Sequence, residues 1–115
     1  LESGPGADTL VGGSGADSFV YRPGDLVGVD RIEGFSSAQG DRILLAELDA
    51  NTNTAANDKF TFIGASAFSG KAGELRFQVI NGDAHVYGDM NGDRIADFEI
   101  NVVGVSKLTA ADFML

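Results

Sequence analysis

The segment SGPGADTLV, residues 3–11, is followed directly by GGSGADSFV, residues 12–20. These nonapeptides agree at the second, fourth, fifth, sixth and ninth positions, so one unit occurs twice. In each copy, glycines favour a tight turn, an aspartate follows at the sixth position, and a large apolar residue, Leu10 or Phe19, stands at the eighth. A short strand can point that apolar residue inward. The pattern therefore predicts stacked turns joined by short strands.

Turns of this kind are suited to a hard cation. Calcium takes about six to eight oxygen ligands, and glycine turns supply carbonyl oxygens that no side chain obstructs. The unit resembles G-G-x-G-x-D-x-U-x, the calcium-binding repeat of RTX (repeats-in-toxin) proteins, which form a parallel β-roll. Two ordinary turns between strands are the alternative, but they would not require the same period or offsets. The expected roll ligands are Ser3, Gly4, Gly6, Asp8, Gly12, Gly13, Gly15, Asp17, Asp25 and Asp30.

The RTX resemblance also implies how the turns combine. It places each ion between turns that lie about 18 residues apart. Counting from Asp8 reaches Leu26, so the charge in that site is expected from Asp25 or Asp30. The partners of the Asp17 turn are expected upstream of Leu1, in a longer protein of which this chain is the tail.

The composition favours one acidic domain with a single core. The 115 residues include 8 basic and 17 acidic ones, with a formal net charge of -9 at pH 7. Such a charge disfavours nucleic acid and anionic membranes and favours metal cations. Because cysteine is absent from the sequence, calcium is expected to stabilise the fold where disulfides otherwise would. The sequence has no apolar run long enough to span a bilayer.

Sixteen glycines and short apolar runs predict an all-β fold. The clearest element is a hairpin over residues 74–87, because Asn81-Gly82 favours a two-residue type I′ turn. In that register one face is apolar and the other polar, and Gln78 faces His85 on the polar side. His85 is therefore expected to be a surface residue of a strand, which argues against a serine–histidine–aspartate triad. Residues 49–59 are expected to form a surface loop or a very short helix.

A second acidic segment, DMNGDRIAD, covers residues 89–97. It has the spacing of an EF-hand-like calcium loop, with the candidate ligands Asp89, Asn91, Asp93 and Asp97. The match is incomplete, because Arg94 stands where that loop has glycine and Ile100 where it has a bidentate glutamate. The alternative is a hairpin tip with a three-residue loop, 91–93, and a bulge that pairs Phe98 with Val86. Both interpretations place Asp89 and Asp97 close together.

Further motifs follow the repeats in order. They are GADSFVY (15–21), DRI (30–32), GDRI (40–43), FSGKAGEL (68–75) and DRIADFEI (93–100). With the repeats, nearly the whole chain resembles the C-terminal domain of serralysin-type secreted metalloproteases. The resemblance implies a calcium-filled parallel β-roll that runs into a β-sandwich, with Asp30 closing the last calcium site. It also implies a C-terminus that a type I secretion system recognises.

The resemblance divides a single domain, 1–115, into three parts. A remnant of the roll covers residues 3–29, the β-sandwich covers 30–107, and a tail like a secretion signal covers 108–115. The tail ends in an acidic residue followed by apolar ones, Asp112-Phe113-Met114-Leu115. The same residues would also suit a final strand of the sandwich.

We therefore expect a non-catalytic, calcium-binding C-terminal module of a larger type I-secreted extracellular protein, such as a metalloprotease. It would act as a calcium-dependent folding unit and secretion tail. Its expected partners are calcium ions and the type I secretion machinery, without nucleic acid or membrane insertion. An enzyme is the least supported class, because the chain contains no H-E-x-x-H motif.

A polysaccharide-binding module of an extracellular carbohydrate-modifying enzyme is the alternative, because alginate-modifying epimerases carry similar roll domains. An acidic protein meets acidic alginate poorly. That function would therefore require the arginines to gather on one face, namely Arg22, Arg31, Arg42, Arg76 and Arg94.

Overall fold

The computed structural model describes residues 8–21, 29–46, 48 and 59–115. Regular structure in these residues is almost entirely β-strand, so the expected all-β fold is confirmed. The strands described there are β1 (Thr9–Val11), β2 (Ser18–Val20), β3 (Val29–Glu33), β4 (Arg42–Leu44), β5 (Thr61–Phe62), β6 (Glu74–Ile80), β7 (Asp83–Asp89), β8 (Phe98–Val102) and β9 (Phe113–Met114). Two 3₁₀ turns cover Ser37–Gln39 and Ala110–Asp112. Across the described ranges, no helix is long and apolar enough to cross a membrane.

The chain winds between two sheets. Among the described strands, one sheet has the order β1-β3-β8-β7-β6-β5 and the other has the order β2-β4-β9. Because β1 and β3 lie in the first sheet and β2 and β4 in the second, these four strands belong to two coils of a parallel roll. A third coil follows much later in the chain, since β8 pairs parallel with β3 and β9 pairs parallel with β4. The roll pairing therefore continues past residue 30 and includes the C-terminal residues.

Columns of apolar side chains join the three coils. Leu10, Ile32 and Val102 are in register across the larger sheet. Phe19, Ile43 and Phe113 are in register across the smaller one. All six side chains are buried and belong to one core cluster. The large apolar residue at the eighth position of each nonapeptide thus points inward, and stacking coil on coil buries it.

The predicted hairpin is confirmed. β6 and β7 pair antiparallel with Gln78 opposite His85, and the turn between them has φ of 53° at Asn81 and 82° at Gly82. These positive φ values are those that a type I′ turn requires. Val79 lies on the core-facing side but is 42% exposed, because it stands next to the turn.

The predicted three-residue loop at 91–93 is wrong. β7 ends at Asp89 and β8 begins at Phe98, so residues 90–97 form the connection. Phe98 pairs with Gly88 rather than with Val86. The register is shifted by two residues, and an even shift leaves Phe98 facing the core. A Cβ on Gly88 would lie only 2.1 Å from the Phe98 ring, so the glycine makes this register possible.

Candidate metal centre

Each nonapeptide aspartate lies beside a second aspartate in the next coil of the roll. Asp8 directly precedes β1, and its backbone N–H donates to Oδ1 of Asp30 at 2.7 Å. Asp17 directly precedes β2, and its N–H donates to Oδ1 of Asp41 at 2.7 Å. The residue after each acceptor donates its own N–H back to the carbonyl oxygen of Asp8 or Asp17, at 2.8 and 2.9 Å. The Asp8–Asp30 and Asp17–Asp41 pairs are therefore one arrangement built twice.

The sequence builds these pairs through a repeated tripeptide. In the roll, Asp-Arg-Ile occurs at 30–32 and 41–43, alongside Asp-Thr-Leu at 8–10 and Asp-Ser-Phe at 17–19. The apolar third residue of each of these four tripeptides is buried, which fixes the register and brings the aspartates side by side. A third Asp-Arg-Ile, at 93–95, lies outside the roll strands, and its Ile95 is exposed. In the third coil the position in register with the first column of aspartates is Ile100. The column formed by Asp8 and Asp30 therefore does not continue into the third coil.

The nonapeptide aspartates of these pairs each keep one carboxylate oxygen without a hydrogen-bond partner among the described residues. Oδ2 of Asp8 and Oδ2 of Asp17 are both buried, and no donor reaches either atom among the described residues. Leaving a buried acceptor unsatisfied costs on the order of 1–3 kcal/mol. Such an atom in a native fold indicates a bound water or ion. Both carboxylates therefore fit a cation site.

Gly12 leaves space beside one of these oxygens. A Cβ at Gly12 would lie 3.2 Å from Oδ2 of Asp17 and 3.3 Å from the carbonyl oxygen of Gly34, with Phe19 Cζ at 3.0 Å. The Gly12 N–H donates to the carbonyl oxygen of Glu33 at 2.9 Å, which holds the turns of successive coils together. A carboxylate oxygen and a carbonyl oxygen thus border a gap that a side chain would fill. Oxygens of these two kinds are calcium ligands.

The structure describes six of the ten predicted roll ligands. Ser3, Gly4, Gly6 and Asp25 lie outside the described residues. Asp8 and Asp30 are brought together at one edge of the roll. Gly12, Gly13, Gly15 and Asp17 form the turn between β1 and β2. Gly13 and Gly15 have φ of 80° and 84°, a conformation that glycine adopts at little cost.

Sequence reasoning missed Asp41. This residue is 1% exposed, and its two carboxylate oxygens accept the N–H groups of Asp17 and Ser36, the latter at 2.9 Å. The upstream partners of the Asp17 turn are expected before Leu1, and no downstream partner is predicted for it. A fixed period of 18 residues does not find Asp41, since the paired aspartates are 22 and 24 residues apart. The recurrence of Asp-Arg-Ile was the available signal.

The second acidic loop brings three of its four predicted residues together. Ligand oxygens of Asp89, Asp93 and Asp97 all lie within 4.8 Å of one another. Asp89 is fully buried, and its carboxylate accepts the N–H groups of Gly92 at 2.8 Å and Arg94 at 2.9 Å. Backbone donors therefore already satisfy Asp89, so the shape of this loop requires no ion. The aspartate pairs of the roll differ, because Oδ2 of Asp8 and of Asp17 accepts no hydrogen bond from the described residues.

Arg94 takes the conformation that the EF-hand loop assigns to glycine. Its φ is 67°, which costs a non-glycine residue roughly 1–2 kcal/mol. Its N–H bond to Asp89 and a guanidinium bond to the carbonyl oxygen of Ser69, at 3.2 Å, hold it there. The sharp bend is thus present without glycine. Asn91 contributes by accepting the N–H of Asp93 at 3.2 Å.

A family model for the peptidase M10 serralysin C terminal matches residues 2–115. This chain belongs to the serralysin C-terminal family. The resemblance drawn from its motifs is therefore confirmed. C-terminal domains of serralysin-type proteins are non-catalytic, bind calcium as a family, and belong to secreted proteins whose catalytic part is a separate domain. A search of curated proteins found no match to the chain.

The four described arginines of this serralysin C-terminal domain do not all gather on one face. Arg31 and Arg76 lie in the larger sheet, with β8 and β7 between their strands, whereas Arg42 lies in the smaller sheet. Arg94 lies in the connection after β7, and Arg22 is outside the described residues. No observation in the described residues favours binding of an acidic polysaccharide.

His85 lies on the outer face of the hairpin, as predicted. Its Nδ1 is 2.8 Å from Oε2 of Glu99, and its ring stacks beside that of Tyr87. Burial raises the pKa of Tyr87, the charge of Glu99 raises it further, and Arg76 opposes both. These contacts explain His85 as part of a polar sheet surface.

Proposed function

We propose that this chain is the non-catalytic, calcium-binding C-terminal module of a larger extracellular protein exported by a type I system. Calcium outside the cell folds the domain, and the last residues direct its export. The observation that carries this proposal is the pair of buried Oδ2 atoms on Asp8 and Asp17, which lack hydrogen-bond donors among the described residues. Each of them belongs to an aspartate pair that spans two coils.

The physical reason for calcium dependence is the cost of the roll without a cation. Two adjacent carboxylates repel each other, and the net charge of -9 adds a repulsion across the chain. A bound cation offsets both repulsions and supplies a partner for Oδ2 of Asp8 and Oδ2 of Asp17. Because the sites exist only in the folded roll, binding free energy becomes folding free energy. Low calcium in the cytosol would then leave the chain unfolded and ready for export.

A thermal melt of the chain in calcium, magnesium and chelator tests the proposal. Calcium sites in extracellular modules bind with Kd of roughly 10⁻⁴–10⁻³ M, so one such site in 10 mM calcium is expected to add roughly 1.4–2.7 kcal/mol of stability. For a domain of this size that raises Tm by at least about 5 °C. Magnesium has the same charge but demands a smaller octahedral site, so its effect is expected to be much smaller. Equal midpoints in all three solutions would contradict calcium binding.

A further inference from the structure

The tripeptide Asn-Gly-Asp occurs twice in this chain, at 81–83 and at 91–93. The first copy forms the two-residue turn from β6 to β7, and the second lies in the 90–97 connection. Because glycine has no Cβ, the backbone nitrogen that follows each asparagine can approach the asparagine amide with little hindrance. The two copies share the reacting residues and the residue that follows them, so a difference between them in the folded chain reports the fold.

The first copy is open to solvent. Asn81 and Gly82 are both exposed, and nothing lies within 4 Å of a Cβ built on Gly82. No group in the described part of the chain accepts the Gly82 N–H. The strand ends beside the turn are loosely packed, since Val79 is 42% and Ile80 39% exposed. Solvent can therefore reach the Gly82 N–H, and few contacts oppose opening of the turn.

The second copy is held by hydrogen bonds, although Asn91 is also exposed. The Gly92 N–H donates to Oδ1 of the fully buried Asp89 at 2.8 Å. The side-chain oxygen of Asn91 accepts the Asp93 N–H at 3.2 Å. A Cβ on Gly92 would lie 2.9 Å from the carbonyl oxygen of Gly70, so the backbone of a neighbouring loop packs directly against this glycine. The nitrogen that would attack and the amide that it would attack are both engaged.

We infer that Asn81 is a modification site, at which the folded domain forms a succinimide with Gly82 and then isoaspartate or aspartate. The Gly82 nitrogen gives its proton to solvent base and attacks Cγ of Asn81. A bond forms between that nitrogen and Cγ, the Cγ–Nδ2 bond breaks, and Nδ2 takes up a proton and leaves as ammonia.

Water then opens the five-membered ring. Cleavage between the ring nitrogen and the main-chain carbonyl carbon of Asn81 leaves isoaspartate, and cleavage between that nitrogen and Cγ leaves aspartate. The net change is the uptake of one water and the loss of one ammonia, without an oxidant or a cofactor.

Ring closure requires the turn to open transiently. It rotates the Asn81 peptide out of the turn conformation, in which φ is 53°. In the first copy this rotation disturbs only the pairing at the hairpin tip, where Ile80 faces Asp83. In the second copy the same rotation requires the bond between Gly92 and the buried Asp89 to break. Local opening costs less free energy at the first copy, so Asn81 reacts faster than Asn91 in the folded chain.

The product changes the hairpin tip in two ways. Isoaspartate carries the chain through its side chain, which adds one methylene group to a turn whose type I′ geometry requires two residues with positive φ. It also adds a carboxylate two residues from Asp83, whose Oδ1 accepts the Gly104 N–H at 2.8 Å. The new charge has the sign of the net charge of -9 and increases the repulsion within the domain.

Timed incubation of the whole chain in saturating calcium at mildly alkaline pH, followed by mass spectrometry, tests the assignment. Trypsin cuts after Arg76 and Arg94, so one peptide, 77–94, contains both asparagines. Each conversion adds one dalton, and fragment ions place it at Asn81 or Asn91 and distinguish isoaspartate from aspartate. Digestion at mildly acidic pH keeps the digest from adding conversions of its own. We expect Asn81 to convert at least about tenfold faster than Asn91.

Two controls separate the fold from the local sequence. In denaturing urea both copies lose their hydrogen bonds, and their conversion rates are expected to agree within about twofold. Asn81→Gly keeps a dipeptide that a type I′ turn accepts and removes the reacting amide. Conversion at that position should disappear while the rate at Asn91 stays the same. Circular dichroism in the incubation buffer confirms that the wild type and the variant are folded.

Three results would overturn the assignment. Equal rates at Asn81 and Asn91 in the folded chain would show that the hydrogen bonds of the second copy give no protection. Conversion of both asparagines in urea but of neither in the folded chain would show that the turn protects Asn81 as well. A tenfold difference that persists in urea would assign the difference to neighbouring residues rather than to the fold. None of these outcomes depends on calcium binding, which the thermal melt tests separately.

Discussion

Aspartates in the two candidate sites differ in what satisfies their oxygens. Asp89 is fully buried, yet backbone N–H groups already fill its carboxylate. Oδ2 of Asp8 is also buried but meets no donor among the described residues. A carboxylate of the first kind shapes a loop at any calcium concentration. One of the second kind stabilises the fold only when a cation is present, which ranks the roll above the 90–97 loop as a calcium site.

The ranking predicts opposite effects for two substitutions. Asp8→Ala removes an unsatisfied oxygen and a repulsive charge, so the calcium-free Tm is expected to stay the same or rise while calcium stabilisation falls. Asp97→Ala removes the acceptor of the Met90 N–H, bonded at 2.6 Å, and is expected to lower calcium-free stability by about 1 kcal/mol. Its calcium affinity should remain. Calorimetric titration measures the calcium affinity of both variants, and thermal melts in chelator measure their calcium-free stability.

The opposite result would assign the principal calcium site to the 90–97 loop. If Asp97→Ala abolishes calcium binding while Asp8→Ala leaves it intact, the cluster of Asp89, Asp93 and Asp97 is the principal site. The orphaned oxygens of the roll would then need another explanation.

Among the elements, those fixed by local chemistry were predicted from the sequence and those fixed by distant contacts were not. The β6–β7 register follows from Asn81-Gly82, because a type I′ turn determines which residues face each other. The connection at 90–97 follows from side-chain acceptors that hold an irregular loop, and no standard turn describes it. Its register also depends on Phe98 fitting over Gly88. A packing contact of that kind is not visible in spacing.

The candidate metal site shows the same difference between local and distant determinants. The nonapeptides identify Asp8 and Asp17 by local repetition. A fixed period does not reach Asp41, because the turn at 34–41 is longer than the turn at 12–17. The third coil pairs Ile43 with Phe113, and strands so far apart in the chain leave no periodic signal. Both members of the Asp8–Asp30 pair were therefore predicted from the sequence, but only Asp17 of the Asp17–Asp41 pair was.

A substitution at Gly88 tests the register of the β7–β8 pair. A Cβ there would lie 2.1 Å from Cε2 and 2.3 Å from Cζ of Phe98, whose ring also packs edge-on against Phe60 at 5.6 Å. Gly88→Ala is therefore expected to lower the free energy of unfolding by about 1–3 kcal/mol. Adding Phe98→Leu should recover part of that loss, because the smaller side chain leaves room for the new methyl group. Urea denaturation in saturating calcium measures the coupling.

A matched control distinguishes crowding from backbone strain. Gly104 has φ of 74° and no atom within 4 Å of its would-be Cβ, so Gly104→Ala costs only conformational strain. Its effect should add to that of Phe98→Leu without coupling. If the two losses at Gly88 and Phe98 were also simply additive, the observed register would be wrong.

At the scale of the whole molecule, three coils stacked side by side make each one depend on its neighbour. The aspartate pairs lie between the first and second coils, and the C-terminal residues complete the third. Folding and the proposed export function make opposite demands on the same residues. The folded domain buries Phe113, whereas a transporter that recognises the chain end would need it exposed. An export signal at the chain end would therefore act only before the roll closes.

This opposition predicts the behaviour of a variant with serine at Phe113, Met114 and Leu115 in cells with a compatible type I system. Losing the buried Phe113 ring costs on the order of 3–5 kcal/mol, so a folding defect alone must be separated from a lost signal. Ile43→Ser removes a buried side chain from the facing strand and leaves the chain end intact. We expect the Ile43→Ser protein in the medium and the triple-serine protein inside the cell, measured by immunoblot of both fractions. Export of both variants would show that the last three residues carry no signal, and retention of both would show that export depends on the fold instead.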